Sequence, residues 1–221
     1  MFIFNVLHYK LKKSNNFIMK SFILSIIFFA SLSTLAFSQS ADELNKQGVE
    51  KFSAGKYEEA IVLFTKAIEI NPLLGSAFYN RGNVYYMGLF DNQKALADFT
   101  AAIDINPKDA SALYIRGSVY YFMGEFDKSV SDMKKVLEII PDSRGAYFSL
   151  GVNYYEMKEY LNAIVSYTIL IELSPEDAMA YYNRGKSYFA LNDTAKACEN
   201  WKKSVLLDED MADEKIEIYC K

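Results

Sequence analysis

Reaction chemistry needs groups that titrate or attack, and this chain is poor in them. Its single histidine is His8, so everything after it lacks an imidazole for proton transfer near neutral pH or for metal ligation. A Ser-His or Cys-His nucleophile is therefore excluded there. Carboxylates occur in clusters at Glu58-Glu59, Glu176-Asp177 and Asp208-Glu209-Asp210, where the surrounding pattern reads as turns or helix starts. Such clusters ordinarily serve helix N-termini, whose partial positive charge favours acids. No Gly-rich phosphate loop is present. The expectation is a protein without catalytic residues, cofactor or metal, and not an enzyme. Three sets of residues remain to be explained: the arginines Arg81, Arg116 and Arg184, a dense series of tyrosines and phenylalanines, and the cysteines Cys198 and Cys220.

Their spacing points to the elements that carry them. Pro72, Pro107, Pro141 and Pro175 lie 35, 34 and 34 residues apart, and Gly48, Gly82, Gly117, Gly151 and Gly185 follow the same interval. A period near 34 marks one supersecondary unit copied along the chain, each copy burying its apolar face on the next. With units starting at Ala41, Gly75, Ala110, Arg144 and Ala178, the eighth position is always glycine. The eleventh is Tyr85, Tyr120, Tyr154 or Tyr188 after Lys51 in the first unit. The twentieth is small (Ala60, Ala95, Ser129, Ala163, Ala197), and the twenty-fourth is large (Phe64, Phe99, Met133, Tyr167, Trp201). Apolar residues recur every three or four positions within each half unit, so each unit predicts two helices. Breaks fall at Ala54-Gly55-Lys56, Gly88-Leu89-Phe90, Gly124-Glu125, Met157-Lys158-Glu159 and Leu191-Asn192-Asp193. Proline disfavours helical backbone in the residue before it, so the second helices should end at Asn71, Asn106, Ile140 and Ser174. Unit two carries one extra residue, which is expected in its turn between Met87 and Lys94.

This arrangement resembles the tetratricopeptide-repeat family, whose helix-turn-helix unit carries large, Leu-Gly, Tyr, Ala, Phe, Ala and Pro at these offsets. The resemblance covers five units, 41–74, 75–109, 110–143, 144–177 and 178–209. It implies an all-α, right-handed α-solenoid, closed by a C-terminal capping helix within 210–221. It also implies that the inner, concave surface is lined by the first helix of each unit. Carried over by position, that surface includes Tyr79, Tyr114, Phe148 and Tyr182 in one row and Phe52, Tyr86, Tyr121, Tyr155 and Phe189 in a second, with Asn80, Asn83 and Asn183 interleaved. Tyrosine joins a rigid apolar ring to a hydroxyl tip, and side-chain amides both donate and accept, a composition suited to an extended peptide or a partner helix. The competing reading is that many of these rings only pack between units. The lysine, asparagine and arginine clamp with which some relatives grip chaperone C-termini is absent, since Asn45, Val49, Ser111 and Ile115 stand at those positions.

The arginines have a plainer explanation than an anion site. Arg81 and Arg116 accompany Asp98 and Asp132 on the second helix of their own unit, and Arg184 accompanies Asn200, whereas Leu150 is matched with Ser166 and Gln47 with Leu63. These are expected to be pairs within a unit, holding its two helices together.

Ahead of the repeats, residues 1–38 read as a leader. From Met19 onward there is one lysine, an apolar run from Phe22 to Phe37 and a small-residue site at Ala36-Phe37-Ser38, the plan of a cleaved signal peptide. Initiation at Met1 or at Met19 fits equally. An uncleaved anchor is the other reading, although 16 residues with three serines and a threonine fall short of the ~20 that span a bilayer. The leader holds four of the 24 basic residues and none of the 28 acidic ones, so its loss changes the net charge from -4 to -8. An acidic chain without a basic face does not favour nucleic acid. The expectation is an exported protein, periplasmic or secreted, with no membrane span once processed. Cys198 and Cys220 would then pair as a disulfide, or stay free if the leader is retained. The function expected is a protein-binding adaptor, a monomer in the first instance; the alternative is a structural component that self-assembles through its edges.

Overall fold

The computed structural model describes residues 40–208 and 214–220, and the leader reading falls outside them. Five helix pairs follow in order. They are α1 (Ala41–Ser53) and α2 (Tyr57–Ile70), α3 (Gly75–Asn83) and α4 (Asn92–Ile105), α5 (Ala110–Phe122) and α6 (Phe126–Ile139), α7 (Arg144–Glu156) and α8 (Tyr160–Leu173), and α9 (Ala178–Ala190) and α10 (Thr194–Leu207). Each pair packs together, and each second helix packs on the first helix of the next unit. The result is an all-α tetratricopeptide-type solenoid. Among the described residues, no helix is long and apolar enough to cross a membrane.

Local chemistry fixes the punctuation. The second helices end at Ile70, Ile105, Ile139 and Leu173, and the residue before each proline leaves helical backbone, as the spacing predicts. Asp91, Asp109, Ser143, Asp177 and Asp193 begin helices by accepting a hydrogen bond from the backbone N–H three residues on. The turn inside each unit uses one left-handed residue, Gly55, Phe90, Gly124, Lys158 or Asn192, always at the same place in the repeat. Glycine adopts that conformation without penalty, while Phe90, at φ 56°, carries a bulky side chain there.

Each unit is centred on its large residue at the twenty-fourth position. Phe64, Phe99, Met133, Tyr167 and Trp201 are all fully buried, and each faces the eighth-position glycine of its own unit. A Cβ on Gly151 would stand 2.5 Å from the Tyr167 ring, and one on Gly185 2.6 Å from Trp201, so the helices could not cross as closely with any other residue. Burying rings of this size contributes about 1.5–3 kcal/mol each.

One expectation is corrected. The extra residue of unit two does not lengthen its turn but widens the end of its first helix, where Val84–Gly88 forms a π-helical turn. The same three-residue connection then leads to α4 as in the other units. Gly88 makes the widened turn possible, because Tyr57 of unit one lies where a side chain would stand, 2.9 Å from a Cβ.

The C-terminal cap is present as α11 (Glu214–Tyr219), following α10; residues 209–213, which include the expected start of the capping helix at 210, lie outside the described residues. Cys198 and Cys220 form a disulfide with Cα atoms 5.3 Å apart. The Tyr219 ring lies 4.7 Å from that of Phe189, so the cap covers the end of the last unit.

Candidate functional site

The first helices touch directly between units one and two, three and four, and four and five, and Tyr86 of unit two reaches Phe122 of unit three, which links their shared face. Tyr79 packs on Phe99, 5.8 Å between rings, and Phe148 on Tyr167 at 6.1 Å. Each is half-buried, with one side on its unit's core and the other on the shared face. Tyr114 bridges two units, since its hydroxyl accepts a hydrogen bond from Ser149 Oγ at 3.5 Å. In the second row, Tyr86 lies 6.2 Å from Phe122 of the next unit, and Tyr121 contacts Phe122 and Phe126. Tyr155 lies 5.4 Å from Tyr160, and the Lys186 ammonium sits over its face at 4.6 Å. Desolvation raises the pKa of Tyr86 and of Tyr121 above the usual phenol value, Tyr121 also through the nearby Glu156 carboxylate, so both present neutral hydroxyls.

Other predicted residues are placed differently. Phe189 stacks on Trp201 and on Tyr219, which makes it part of the terminal cap. Asn80 donates its amide to Asn45 Oδ1 of unit one at 3.0 Å. Asn183 donates to the Met179 carbonyl of its own helix, and Tyr182 is half-buried, its carbonyl accepting from Trp201 Nε1 at 3.2 Å. Asn83 is buried, with 7% of its surface exposed, and so is not offered to a ligand on this face. Its Oδ1 has no hydrogen-bond partner among the described residues.

Two cavities open along the central units. One, of about 180 Å³, is lined by Tyr114, Tyr121, Phe148 and Val152 with Ser129 and Asn153. The other, of about 280 Å³, lies between Tyr79 and Tyr114. The sequence pattern alone does not single out Ser129 and Asn153 for this face: Ser129 is one of the small residues at position twenty, and position ten varies between units.

The arginines form a seam away from this face. Arg81 binds both carboxylate oxygens of Asp98 at 2.8 Å, Arg116 does the same with Asp132, and Arg184 donates to Asn200 Oδ1 at 2.7 Å. Pairing within the unit is thus as predicted. Each arginine also reaches back one unit, to Thr65, Thr100 or Thr168. This link has a sequence signal. The residue one past the twenty-fourth is threonine in each unit followed by an arginine unit, and Lys134 precedes the unit that has Leu150. The hydrogen bonds to Asp98 and Asp132 raise the pKa of Arg81 and of Arg116, so these guanidinium charges persist at every pH at which the protein folds.

Stacked helix pairs with one continuous face define an α-solenoid of the kind that recognises other molecules by surface. Family models bear this out: one for the TPR repeat matches residues 48–88 and 153–192, and one for the tetratricopeptide repeat matches 75–109, 110–143 and 178–211. The chain belongs to the tetratricopeptide-repeat family, whose members bind protein partners. Among solved structures, a MamA protein has a TM-score of 0.74 at 21% identity over 82% of this chain and 97% of that one. MamA from Desulfovibrio magneticus RS-1 gives 0.73 at 20%, over 80% and 100%. YrrB, a TPR protein with an unusual peptide-binding site, gives 0.71 at 22%, over 77% and 88%. At these identities the likeness speaks to fold alone. No curated protein matches the sequence.

Proposed function

We propose that the protein is a non-catalytic adaptor that holds an extended peptide or a partner helix along the face of its first helices, in the periplasm or outside the cell. The observation that carries this reading is the row of half-buried rings from Tyr79 through Tyr114 to Phe148, continuous across three units and bordered by two cavities. Half-buried rings are already ordered, so a ligand that covers them loses little conformational entropy at the protein's side. The likeness in fold to YrrB, a peptide-binding repeat protein, is consistent with this use. The leader and the disulfide support an oxidising, exported setting. Capture from an envelope fraction, with the partner identified by mass spectrometry, tests the site: Tyr114→Ala with Tyr121→Ala should abolish it in a folded protein, and undiminished capture would move binding elsewhere.

A second reading, self-assembly through an edge, is favoured by one patch. Phe90 and Phe122 are 82% and 68% exposed, and with Tyr86, Met87 and Asn92 they line a shallow pocket of about 510 Å³. Sizing across concentration separates the two: a monomer favours the adaptor, and a concentration-dependent oligomer lost in Phe90→Ser favours assembly.

A further inference from the structure

The solvent side of the second helices can be compared unit by unit, and one unit departs from the rest. Positions twenty, twenty-four and twenty-seven of each unit face the core, so positions eighteen, twenty-two and twenty-six lie on the opposite side, away from the first-helix face. They are Glu58, Val62 and Lys66 in unit one, Asp127, Ser131 and Lys135 in unit three, and Ala195, Glu199 and Lys203 in unit five. Unit two, counted after its extra residue, has Gln93, Ala97 and Ala101. In unit four all three are large and apolar: Leu161, Val165 and Ile169. Leu161 and Val165 are 69% and 57% exposed, and Ile169 is half-buried. Among the fourteen residues of α8 only Glu172 is charged. A helix that is apolar all round is ordinarily covered all round. Single exposed apolar residues are commonplace, but three in line along one helix make a patch of the kind that meets another molecule.

The flanking helices indicate what covers it. On the solvent side of α6, Asp127 lies four residues before the level of Val165 and Lys135 four residues after it. Neither has an ion pair among the described residues, and the adjacent Lys128 is held by Glu125. This spacing is its own complement. Turning a second copy end for end about Val165 brings Asp127 over the second copy's Lys135 and Lys135 over its Asp127, while Leu161 meets Ile169 and Val165 meets Val165. On α10, Glu199 then comes opposite its counterpart, with a Lys203 of each copy one turn away. A parallel pairing instead sets Lys135 against Lys203. An anionic bilayer fits less well, because Asp127, Glu172 and Glu199 border the stripe.

We propose that the solvent side of α8 is a self-recognition surface, on which a second copy of this chain packs antiparallel about a two-fold axis at Val165. The first-helix face stays open in this dimer, so the proposal neither needs the groove reading nor uses the Phe90 patch. One helix and its flanks form an interface at or below the ~1,200 Å² that begins the standard size, so a Kd on the order of 10–100 µM is expected.

Sedimentation equilibrium of the purified protein, from about 1 µM to about 1 mM, tests it. Salt of about 0.15 M screens the chain's net negative charge beyond ~8 Å. The expected result is a monomer–dimer equilibrium. Val165→Glu sets two carboxylates against each other at the axis and should weaken the dimer at least about tenfold. Helicity and thermal midpoint should not change, because Ser131 and Glu199 hold that position in other folded units. Phe90→Ser should leave the dimer intact. Asp127→Lys and Lys135→Glu should each weaken self-association about threefold or more, and an equimolar mixture of the two should recover it as a heterodimer. These charge variants decide the matter even if Val165→Glu fails to fold. A protein that stays monomeric across the range overturns the proposal, whether or not it binds phosphatidylcholine–phosphatidylglycerol vesicles or a foreign helix through Val165. Association that survives a folded Val165→Glu variant, or that is lost in Phe90→Ser, overturns it as well. Failure of the mixture to recover association would overturn the antiparallel pairing.

Discussion

The arginine seam and the first-helix face run along the same units, and they treat polar groups in opposite ways. In the seam, Arg116 directs its donors to Asp132 and Thr100, and the carboxylate it meets is almost wholly buried. On the other face, Asn83 in unit two and Ser129 and Asn153 at the third junction are buried with side-chain oxygens that have no hydrogen-bond partner among the described residues. The same repeat can close a polar network completely, so the open one is not a failing of the scaffold. The seam ties each unit to the one before it, while the first-helix face is the one proposed to meet an outside partner.

The largest effect should come from breaking the seam. Asp132→Ala leaves the largely buried Arg116 guanidinium without its carboxylate and with only Thr100, and a loss of about 3–5 kcal/mol in urea unfolding is expected. Replacing both partners, Arg116→Met with Asp132→Leu, should restore most of that stability without altering partner affinity; a large affinity loss in this folded variant would erase the distinction between seam and face. Reduction of the Cys198–Cys220 bridge, or Cys198→Ser with Cys220→Ser, opens the loop that joins residues 22 apart and should cost roughly 3 kcal/mol, confined to the last unit and its cap. Hydrogen exchange resolves which helices loosen, and loosening of α1 to α4 would contradict a local role.

A smaller effect is expected between units. Thr100→Val removes one hydrogen bond to Arg116 and should cost about 1 kcal/mol, with units two and three losing cooperativity. The smallest concerns Tyr167, whose burial raises its pKa above the ordinary 10.0. The folded protein then holds its phenol proton where the unfolded chain releases it. Stability from this source is complete below pH ~10 and falls as pH rises past it. Tyr167→Phe should be nearly neutral at pH 7 and should delay alkaline unfolding; an unchanged alkaline midpoint would show that Tyr167 does not limit it.

Much of the fold is legible in the sequence because glycine and proline report backbone demands rather than surface chemistry. Gly151 must admit Tyr167, and Pro141 must end a helix, whatever the protein binds. The extra residue of unit two is not placed by its neighbours in sequence, because Gly88 and Asn92 suit a turn as well as a widened helix end; only the Tyr57 ring against Gly88 decides between them. On the candidate face, ring identity is legible but neighbours are not. Phe189 occupies the same register as Tyr121, yet the cap brings Tyr219 onto it. Asn83 occupies an inner-face position, yet it is buried. Ser129 passes in the sequence as one more small residue at position twenty and Asn153 as one of several residues at position ten, so their shared burial is legible only in the structure.

The most direct test is the hydrogen-exchange footprint of the captured partner on the intact protein. Protection concentrated on Ala110–Phe122 and Arg144–Glu156, with Phe126–Ile139 unchanged, is the predicted result. Protection centred on the second helices, or on the turn around Phe90, would contradict the assignment of binding to the first-helix face.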